Sequence, residues 1–348
     1  MIVHLKSVLL QLLRLEADIM DNEGLGGKAL EVLRFKSKEA LESTKKAMLE
    51  EKMSKKVDAA LRDYVKKWDD TTRPGVLSLA CEAVNGNLDE LIPLQTAMLL
   101  IAATMDIHDD IIDKSTAKVT GKTIYGKTGV ETALLLGNAF LVKGFIQLHK
   151  AIEKLPRERQ SLMNDTTKDF LFEVIKAHVI EVELRNRKWN VKPKEYLQVL
   201  EEKAADIEGR MRIGAIFGGG ASSEIEALGK YGRCLGVLLA VRSDFVDIFE
   251  PRELENRAKN ECLPLPVLYA LKNKNCRKRI LKILSSETIS KDDAQELAEI
   301  IYQTPGNSYL KRHLRKLSKE AMCVLDNIHA SEAKTNLEIL VMSMLEDL

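Results

Sequence analysis

The apolar residues of this chain recur at intervals of three and four along almost its whole length. That spacing places them on one face of an α-helix, whereas a half-buried strand would alternate apolar and polar residues. No stretch shows convincing strand alternation, and helix-breaking residues are few, with 19 glycines and 8 prolines among 348 residues. The sequence therefore predicts an all-α fold, a single large bundle of about a dozen helices.

Clusters of Gly, Pro and Asn mark where the predicted helices begin and end. We expect an N-terminal helix and linker over residues 1–28 and a single helical domain over residues 29–348. Within that domain, helices are predicted over about 29–67, 71–85, 93–113, 130–153, 157–188, 193–220 and 222–249, followed by shorter helices over 264–348.

Charge and cysteine usage exclude several classes of protein. The 53 Lys and Arg residues balance 52 Asp and Glu residues, so no basic field attracts nucleic acid or an anionic membrane. The apolar segment at residues 8–13 is too short to cross a bilayer, and no other segment approaches the required length. Five cysteines without a Cys-x-x-Cys pair indicate a reducing compartment and no zinc site. We therefore expect a cytoplasmic protein with no nucleic-acid partner and no stable membrane span.

Four aspartates within eight residues, Asp106, Asp109, Asp110 and Asp113, carry the strongest chemical signal in the chain. Their spacing places all four on one side of a helix, within an arc of about 100°. Stacked carboxylates repel one another, and a cation removes that repulsion. Mg²⁺ suits such hard oxygen ligands and usually shares its shell with substrate phosphates. The alternative is a solvated acidic face, but the apolar flank at residues 99–103 favours a metal and phosphate site.

A second acidic pair, Asp244 and Asp247, lies near the end of the helix predicted over about 222–249. Alone it is a weak signal, because paired acids on a helix are common. Two acidic helix faces pointing into one cavity, however, could hold roughly two or three Mg²⁺ ions around a diphosphate. Those ions would neutralise the negative charge that builds on a departing diphosphate.

Several basic residues are candidates for phosphate binding. Arg73 lies beside Pro74 at a predicted helix start, where backbone N–H groups and a guanidinium can share an anion. Lys203, Asp206 and Arg210 form a row on one face of a predicted helix. The row indicates either an intrahelical salt bridge between Asp206 and Arg210 or a Lys203 side chain facing a phosphate. The sequence leaves both interpretations open.

Residues 108–113 resemble the first aspartate-rich motif of the trans-isoprenyl (polyprenyl) diphosphate synthases, and residues 244–247 stand where their second motif belongs. Further segments are similar in consistent order over about residues 30–275, namely Arg73-Pro74, residues 121–126, residues 133–139, Lys203-Ala204 and residues 263–266. The resemblance implies an isoprenoid-synthase bundle around a central cavity, with Mg²⁺ as cofactor. It implies condensation of isopentenyl diphosphate with an allylic diphosphate, by a homodimer or by a heteromer with a homologous synthase.

The same resemblance implies a role for individual residues of this chain. The residues with a catalytic role would be Asp109, Asp110 and Lys203. The residues that hold metal ions would be Asp109, Asp110, Asp113, Asp244 and Asp247. The residues that bind the diphosphates would be Arg73, Lys118, Lys122 and Lys203.

The chain also departs from the family pattern. Asp70 stands where the family has a lysine before Arg-Pro, Ala102 where it has a histidine, and Ser243 where the second motif begins with aspartate. The Arg-Arg pair after the first motif is absent, which leaves Lys118 and Lys122 as basic candidates. Each lost cation facing a diphosphate is expected to cost about 1.5–3 kcal/mol as a charge-assisted hydrogen bond.

Three functions are therefore compatible with the sequence. The first is a chain-elongating synthase. Residues 103–105 include no aromatic side chain, a pattern for which the family resemblance implies a product of medium or long chain. The second is a catalytically weak or inactive homologue that acts as the regulatory subunit of a heteromeric prenyl diphosphate synthase. The third is a class I terpenoid cyclase-like enzyme, which is less favoured because the local sequence follows the elongating enzymes.

Overall fold

Helices make up almost all of this computed structural model, which describes residues 24–118 and 120–346. In the first half they are α1 (Leu25–Met48), α2 (Lys55–Lys67), α3 (Thr72–Glu82), α4 (Ile92–Ile112), α5 (Ile124–Thr128), α6 (Val130–Ile152) and α7 (Arg157–Arg185). In the second half they are α8 (Pro193–Lys203), α9 (Ala205–Phe217), α10 (Ser222–Phe249), α11 (Pro251–Asn260), α12 (Leu265–Ala270), α13 (Lys274–Leu284), α14 (Lys291–Tyr302), α15 (Pro305–Leu325) and α16 (Glu332–Ser343). The all-α prediction is confirmed.

Between α4 and α5 the chain forms a small antiparallel hairpin that the sequence did not predict. Its strands are β1 (Ala117–Lys118) and β2 (Gly121–Lys122), with Ala117 opposite Lys122. A single 3₁₀ turn, Lys188–Asn190, follows α7. The predicted N-terminal helix falls almost entirely on residues 1–23, which lie outside the described part of the chain.

Helix α4 runs through the middle of the bundle and carries the first aspartates. Every residue from Leu94 to Thr104 is buried. A helix that is apolar around its whole circumference must be covered on all sides, and α4 packs against α1, α3, α5 and α6. Its C-terminal end leaves the core, so the acidic residues of the last turns reach a cavity while the helix stays anchored.

Helix α9 forms a second layer against α3, α7 and α10. It approaches α3 very closely at Gly214, where an added Cβ would lie 2.4 Å from the carbonyl oxygen of Leu77. Only glycine allows this approach. The close contact brings the N-terminal ends of α3 and α9 together, and with them Arg73 and Asp206.

The helix predicted over about 29–67 is two helices in the structure. Helix α1 begins earlier, at Leu25, because the Glu346 carboxylate accepts hydrogen bonds from the backbone N–H groups of Leu25 (3.1 Å) and Gly26 (2.6 Å). This satisfies donors that a helix start otherwise leaves unpaired. A loop separates the helices at residues 49–54, and the Ser54 side chain caps α2.

The helix predicted over about 193–220 is also divided, at Ala204. This residue packs tightly against α10, since a Cβ added at Gly236 would lie 2.8 Å from the Ala204 Cβ. Lys203 is therefore the last residue of α8, whereas Asp206 lies in the first turn of α9. The predicted row of Lys203, Asp206 and Arg210 spans a helix junction.

None of the helices that the structure describes is long and apolar enough to cross a membrane. The five cysteines are all free, and Cys81 and Cys262 are buried. Burial raises the pKa of both thiols to about 12.

Candidate active site

A small polar pocket of about 160 Å³ lies where α4, the hairpin, α7, α8 and α11 meet. Carboxylates outnumber cations on its walls. Its lining residues are Asp109, Asp110, Asp113, Ser115, Lys118, Glu181, Lys203, Glu253, Arg257 and Glu261. The excess of negative charge favours binding of a cation in this pocket.

A much larger cavity of about 990 Å³ lies between α4, α6 and α7. Its walls are mostly apolar, and they include Met105 from α4, Phe145 from α6 and Leu171 from α7. Asp109 lines both this cavity and the polar pocket. The two spaces therefore meet at one carboxylate, with charge on one side and apolar surface on the other.

The four aspartates of the first motif have different partners. Asp110 accepts from Lys118 at 2.7 Å, and Asp113 forms an ion pair with Arg185. Asp109 has a buried oxygen, Oδ1, without a hydrogen-bond partner among the described residues, and His178 Nδ1 lies 3.4 Å from it. Burial lowers the pKa of His178, which favours the neutral imidazole.

Asp106 does not line the pocket and turns towards Arg73 instead. The Arg73 guanidinium contacts three carboxylates, those of Asp70 (2.8 Å), Asp106 (3.1 Å) and Asp206 (2.9 Å). Asp206 also pairs with Arg210 at 2.8 Å, which is one of the two interactions expected from the row on this segment. Three carboxylates against two guanidiniums leave this cluster with a net negative charge, so it does not attract an anion as it stands.

The second acidic pair is held by Arg257. The Asp244 carboxylate pairs with this guanidinium and also accepts a hydrogen bond from the Leu265 N–H at 2.7 Å. Asp247 pairs with the same guanidinium at 2.7 Å. Neither aspartate is among the residues that line the two cavities.

The predicted phosphate-binding lysines lie at different distances from the pocket. Lys203 Nζ donates to Glu181 Oε2 at 2.5 Å inside it, and Lys118 reaches Asp110 from the hairpin. Lys122 is exposed on β2 and does not line either described cavity. Two of the three lysines are therefore brought to the pocket.

A family model for polyprenyl synthetases matches residues 54–301 of this chain. The chain belongs to the polyprenyl synthetase family. The family resemblance inferred from the aspartate motifs is confirmed.

Relatives from Methanosarcina mazei and Methanothermobacter thermautotrophicus match this chain over different lengths. Geranylgeranyl diphosphate synthase of Methanosarcina mazei is 31% identical over 55% of this chain, and the match spans 58% of that enzyme, less than two thirds of it. Short chain isoprenyl diphosphate synthase of Methanothermobacter thermautotrophicus is 26% identical over 75% of this chain and 82% of its own. The crystal structure of geranylgeranyl pyrophosphate synthetase from Pyrococcus horikoshii superimposes with a TM-score of 0.78, at 23% identity over 92% of this chain and 98% of the other. The isoprenoid synthase fold is thereby confirmed.

Half of the residues that line the polar pocket were not predicted from the sequence. The missed residues that line it or lie beside it are His178, Glu181, Arg185, Glu253, Arg257 and Glu261. On α7 the signal was present, because His178, Glu181 and Arg185 are spaced by three and four and so share one helix face. On α11 the acids lie in a strongly charged segment that reads as a solvated helix.

The chemistry of the pocket fits Mg²⁺, the ion that the polyprenyl synthetase family implies. Carboxylate oxygens are its preferred ligands, and Asp109 offers an oxygen that has no other partner. Burial raises the pKa of Asp110 and of Asp113, and neighbouring carboxylates raise it further, so a cation here relieves repulsion. No group of three His, Cys, Asp or Glu side chains within the described residues is already arranged to hold a metal. Water and substrate phosphates would complete the shell, as is usual for Mg²⁺.

Proposed function

We propose that the chain catalyses the Mg²⁺-dependent condensation of isopentenyl diphosphate with an allylic diphosphate, giving a medium or long prenyl diphosphate. The observation that supports this most is the junction at Asp109, where a large apolar cavity meets a pocket rich in carboxylates. An allylic diphosphate is complementary to this arrangement. Its diphosphate group binds metal ions, and its hydrocarbon chain packs against apolar side chains.

Within this proposal, Asp109, Asp110 and Asp113 hold Mg²⁺ on the α4 side of the pocket. The ion, when bound, neutralises charge on the leaving diphosphate and lowers the barrier to ionisation. Lys203 and Lys118 are the cations of the pocket that can turn from Glu181 and Asp110 to the phosphate oxygens. The walls of the cavity are apolar, and they would exclude water from the reacting carbon once the exposed outer side is covered.

The dimensions of the cavity support a product longer than that of the smallest synthases. On α7 its lining extends from Asn164 to Glu183, about 28 Å along the helix axis at 1.5 Å per residue. An isoprene unit adds four bonds to the chain, about 4–5 Å by the reach of extended backbone. The cavity therefore accommodates roughly five or six units.

Met105 lines the cavity about one turn before Asp109, so a larger side chain there should shorten the product. We expect Met105→Phe to shift the product distribution by one or more isoprene units towards shorter chains, with little change in total turnover. Chromatography of labelled products measures the shift. Met53→Phe makes the same change at an exposed position that is not among the lining residues, and it should leave the distribution unchanged.

The direct test of the proposed function is an assay of the purified chain with Mg²⁺, labelled isopentenyl diphosphate and allylic primers of increasing length. Elongation by the chain alone, lost on addition of a chelator, supports the proposal. No elongation at any primer length, in a chain that still binds allylic diphosphate, contradicts it as a stand-alone activity.

The Arg73 cluster favours a second candidate, a catalytically weak or inactive homologue that acts as the regulatory subunit of a heteromeric synthase. Arg73 is the predicted ligand of isopentenyl diphosphate, and its guanidinium is already paired with three carboxylates. In this case the purified chain should show no elongation alone. Elongation should appear when a homologous synthase that has the cationic residues for substrate binding is added.

Both candidates require an interface, and an exposed apolar face on α6 and α7 supports one. The most exposed large side chains on this face are Leu135 (67%), Val142 (60%), Phe172 (69%) and Val179 (54%). Phe172 and Val179 also line the cavity, so a subunit packed there would close its outer wall. If the chain is active alone, we propose that a second copy of it covers this face. If it is a regulatory subunit, we propose that the homologous synthase covers it. Sedimentation of the chain alone and in a mixture with the homologous synthase distinguishes the two.

Releasing Arg73 should strengthen binding of isopentenyl diphosphate. Asp70→Asn removes one of the three carboxylates, so that the carboxylates no longer outnumber the two guanidiniums of the cluster. We expect about a tenfold lower Kd, since a charge-assisted hydrogen bond is worth about 1.5–3 kcal/mol. Equilibrium dialysis with labelled isopentenyl diphosphate measures it. Asp69→Asn makes the same charge change at an exposed neighbour, and if it strengthens binding equally, the effect is not due to Arg73.

A further inference from the structure

Arg257 occupies the place between the two aspartates of the second motif. Its guanidinium is buried and pairs with Asp244 and with Asp247, the latter through Nε at 3.0 Å and Nη2 at 2.7 Å. It also donates to the Tyr196 hydroxyl at 3.0 Å. Each of its nitrogens is therefore used, and the planar fork holds both carboxylates in fixed positions.

Both oxygens of Asp244 are already engaged within the fold. One oxygen takes the Arg257 guanidinium and the other takes the Leu265 N–H at 2.7 Å, and the residue is only 1% exposed. A metal bound to this pair would have to displace the buried Arg257 guanidinium. Within the described residues, no other carboxylate lies as close to that guanidinium. Two like charges in one buried space repel strongly. The second motif thus does not fit the divalent ion that the family implies for it.

Glu253 and Glu261 line the polar pocket together with the aspartates of the first motif, from a different segment of the chain. Helix α11 carries Glu253 in its first turn, and Glu261 follows its last residue. Both line the pocket together with the α4 aspartates, which Asp244 and Asp247 do not. Glu253 forms no ion pair within the described residues. Glu261 accepts a hydrogen bond from Asn256 Nδ2 through Oε1, and its Oε2 lies 3.7 Å from Arg257 Nε. Glu253 and the Oε2 side of Glu261 are therefore less tightly paired than Asp244 and Asp247.

We infer that Glu253 and Glu261 supply the carboxylates that face the first motif across a divalent cation, while Arg257 serves as the internal counter-ion of Asp244 and Asp247. The inference rests on the proposed function, because the cation accompanies the diphosphate into the pocket. It makes this chain differ from the symmetric arrangement of two metal-binding aspartate motifs that the resemblance implies.

The test measures binding of Mn²⁺, as a spectroscopic substitute for Mg²⁺, by electron paramagnetic resonance of the free ion in the presence of inorganic diphosphate. We expect Glu253→Gln and Glu261→Gln each to weaken binding at least tenfold. Asp247→Asn should change it less than twofold, although its melting temperature should fall because Arg257 loses a partner. Glu255→Gln is the matched control, since Glu255 lies on the same helix but pairs with Lys259 outside the pocket.

The outcomes separate the inference from the proposed function. A tenfold loss in Asp247→Asn without a change in melting temperature, or unchanged binding in both Glu253→Gln and Glu261→Gln, overturns the inference. If the unmodified chain shows no diphosphate-dependent binding of Mn²⁺ at all, the proposed function fails, independently of which carboxylates face the first motif.

Discussion

Replacing Asp109 with alanine is expected to abolish Mg²⁺-dependent binding of diphosphate while leaving the chain folded. Asp109 is the carboxylate shared by the polar pocket and the apolar cavity, and one of its oxygens lacks a partner among the described residues. Its side chain is 37% exposed, so its loss leaves no cavity in the core. The effect should therefore appear in binding and turnover rather than in stability.

The size of this effect follows from what the metal does. Removing one group that stabilises charge in a transition state typically costs about 100- to 1000-fold in rate, and a metal ligand should cost at least as much. Calorimetric titration with inorganic diphosphate, with and without Mg²⁺, measures the binding. Asp165→Ala removes an exposed aspartate on α7 and should bind normally. Unchanged binding in Asp109→Ala would move the metal site to another part of the molecule.

Local geometry explains how much of this site was predictable from the sequence. The spacing of Asp109, Asp110 and Asp113 is a property of one helix, and the structure places all three on the same pocket. Helix boundaries were predictable where a proline marks them, as at Pro193. They were missed at Leu25, because the carboxylate that stabilises this helix start comes from the other end of the chain, at Glu346.

The ion pairs of the site were not predictable in the same way, because they join helices that are distant in sequence. Asp106 and Asp109 share a helix face, yet Asp106 turns to Arg73 since α3 presents a guanidinium there. The sequence showed a charge reversal at Asp70, and the structure shows its consequence, a carboxylate that holds Arg73. For Asp244 the decisive partner is Arg257, which no spacing rule connects to it.

Replacing Arg257 with methionine is expected to destabilise the fold strongly. The change removes the cation between the buried Asp244 carboxylate and the half-buried Asp247 carboxylate, and leaving a buried charge uncompensated typically costs about 3–5 kcal/mol. For a chain of 348 residues that corresponds to a fall in melting temperature of roughly 4–7 °C. Thermal unfolding followed by circular dichroism measures it. Arg279→Met removes an exposed arginine paired with Glu296 and should change the stability by less than about 1 kcal/mol.

The loss of folding stability in Arg257→Met should also depend on pH. Burial raises the pKa of Asp244 to about 6 although Arg257 opposes this, and without Arg257 the pKa should rise further. The folded state then binds more protons than the unfolded state, in which an aspartate titrates near 3.9, so stability falls as the pH rises. The deficit of Arg257→Met relative to the unmodified chain should therefore be largest at pH 8 and smaller at pH 5. An equal deficit at both values would mean that lost packing of the arginine side chain, rather than an uncompensated Asp244 carboxylate, causes the destabilisation.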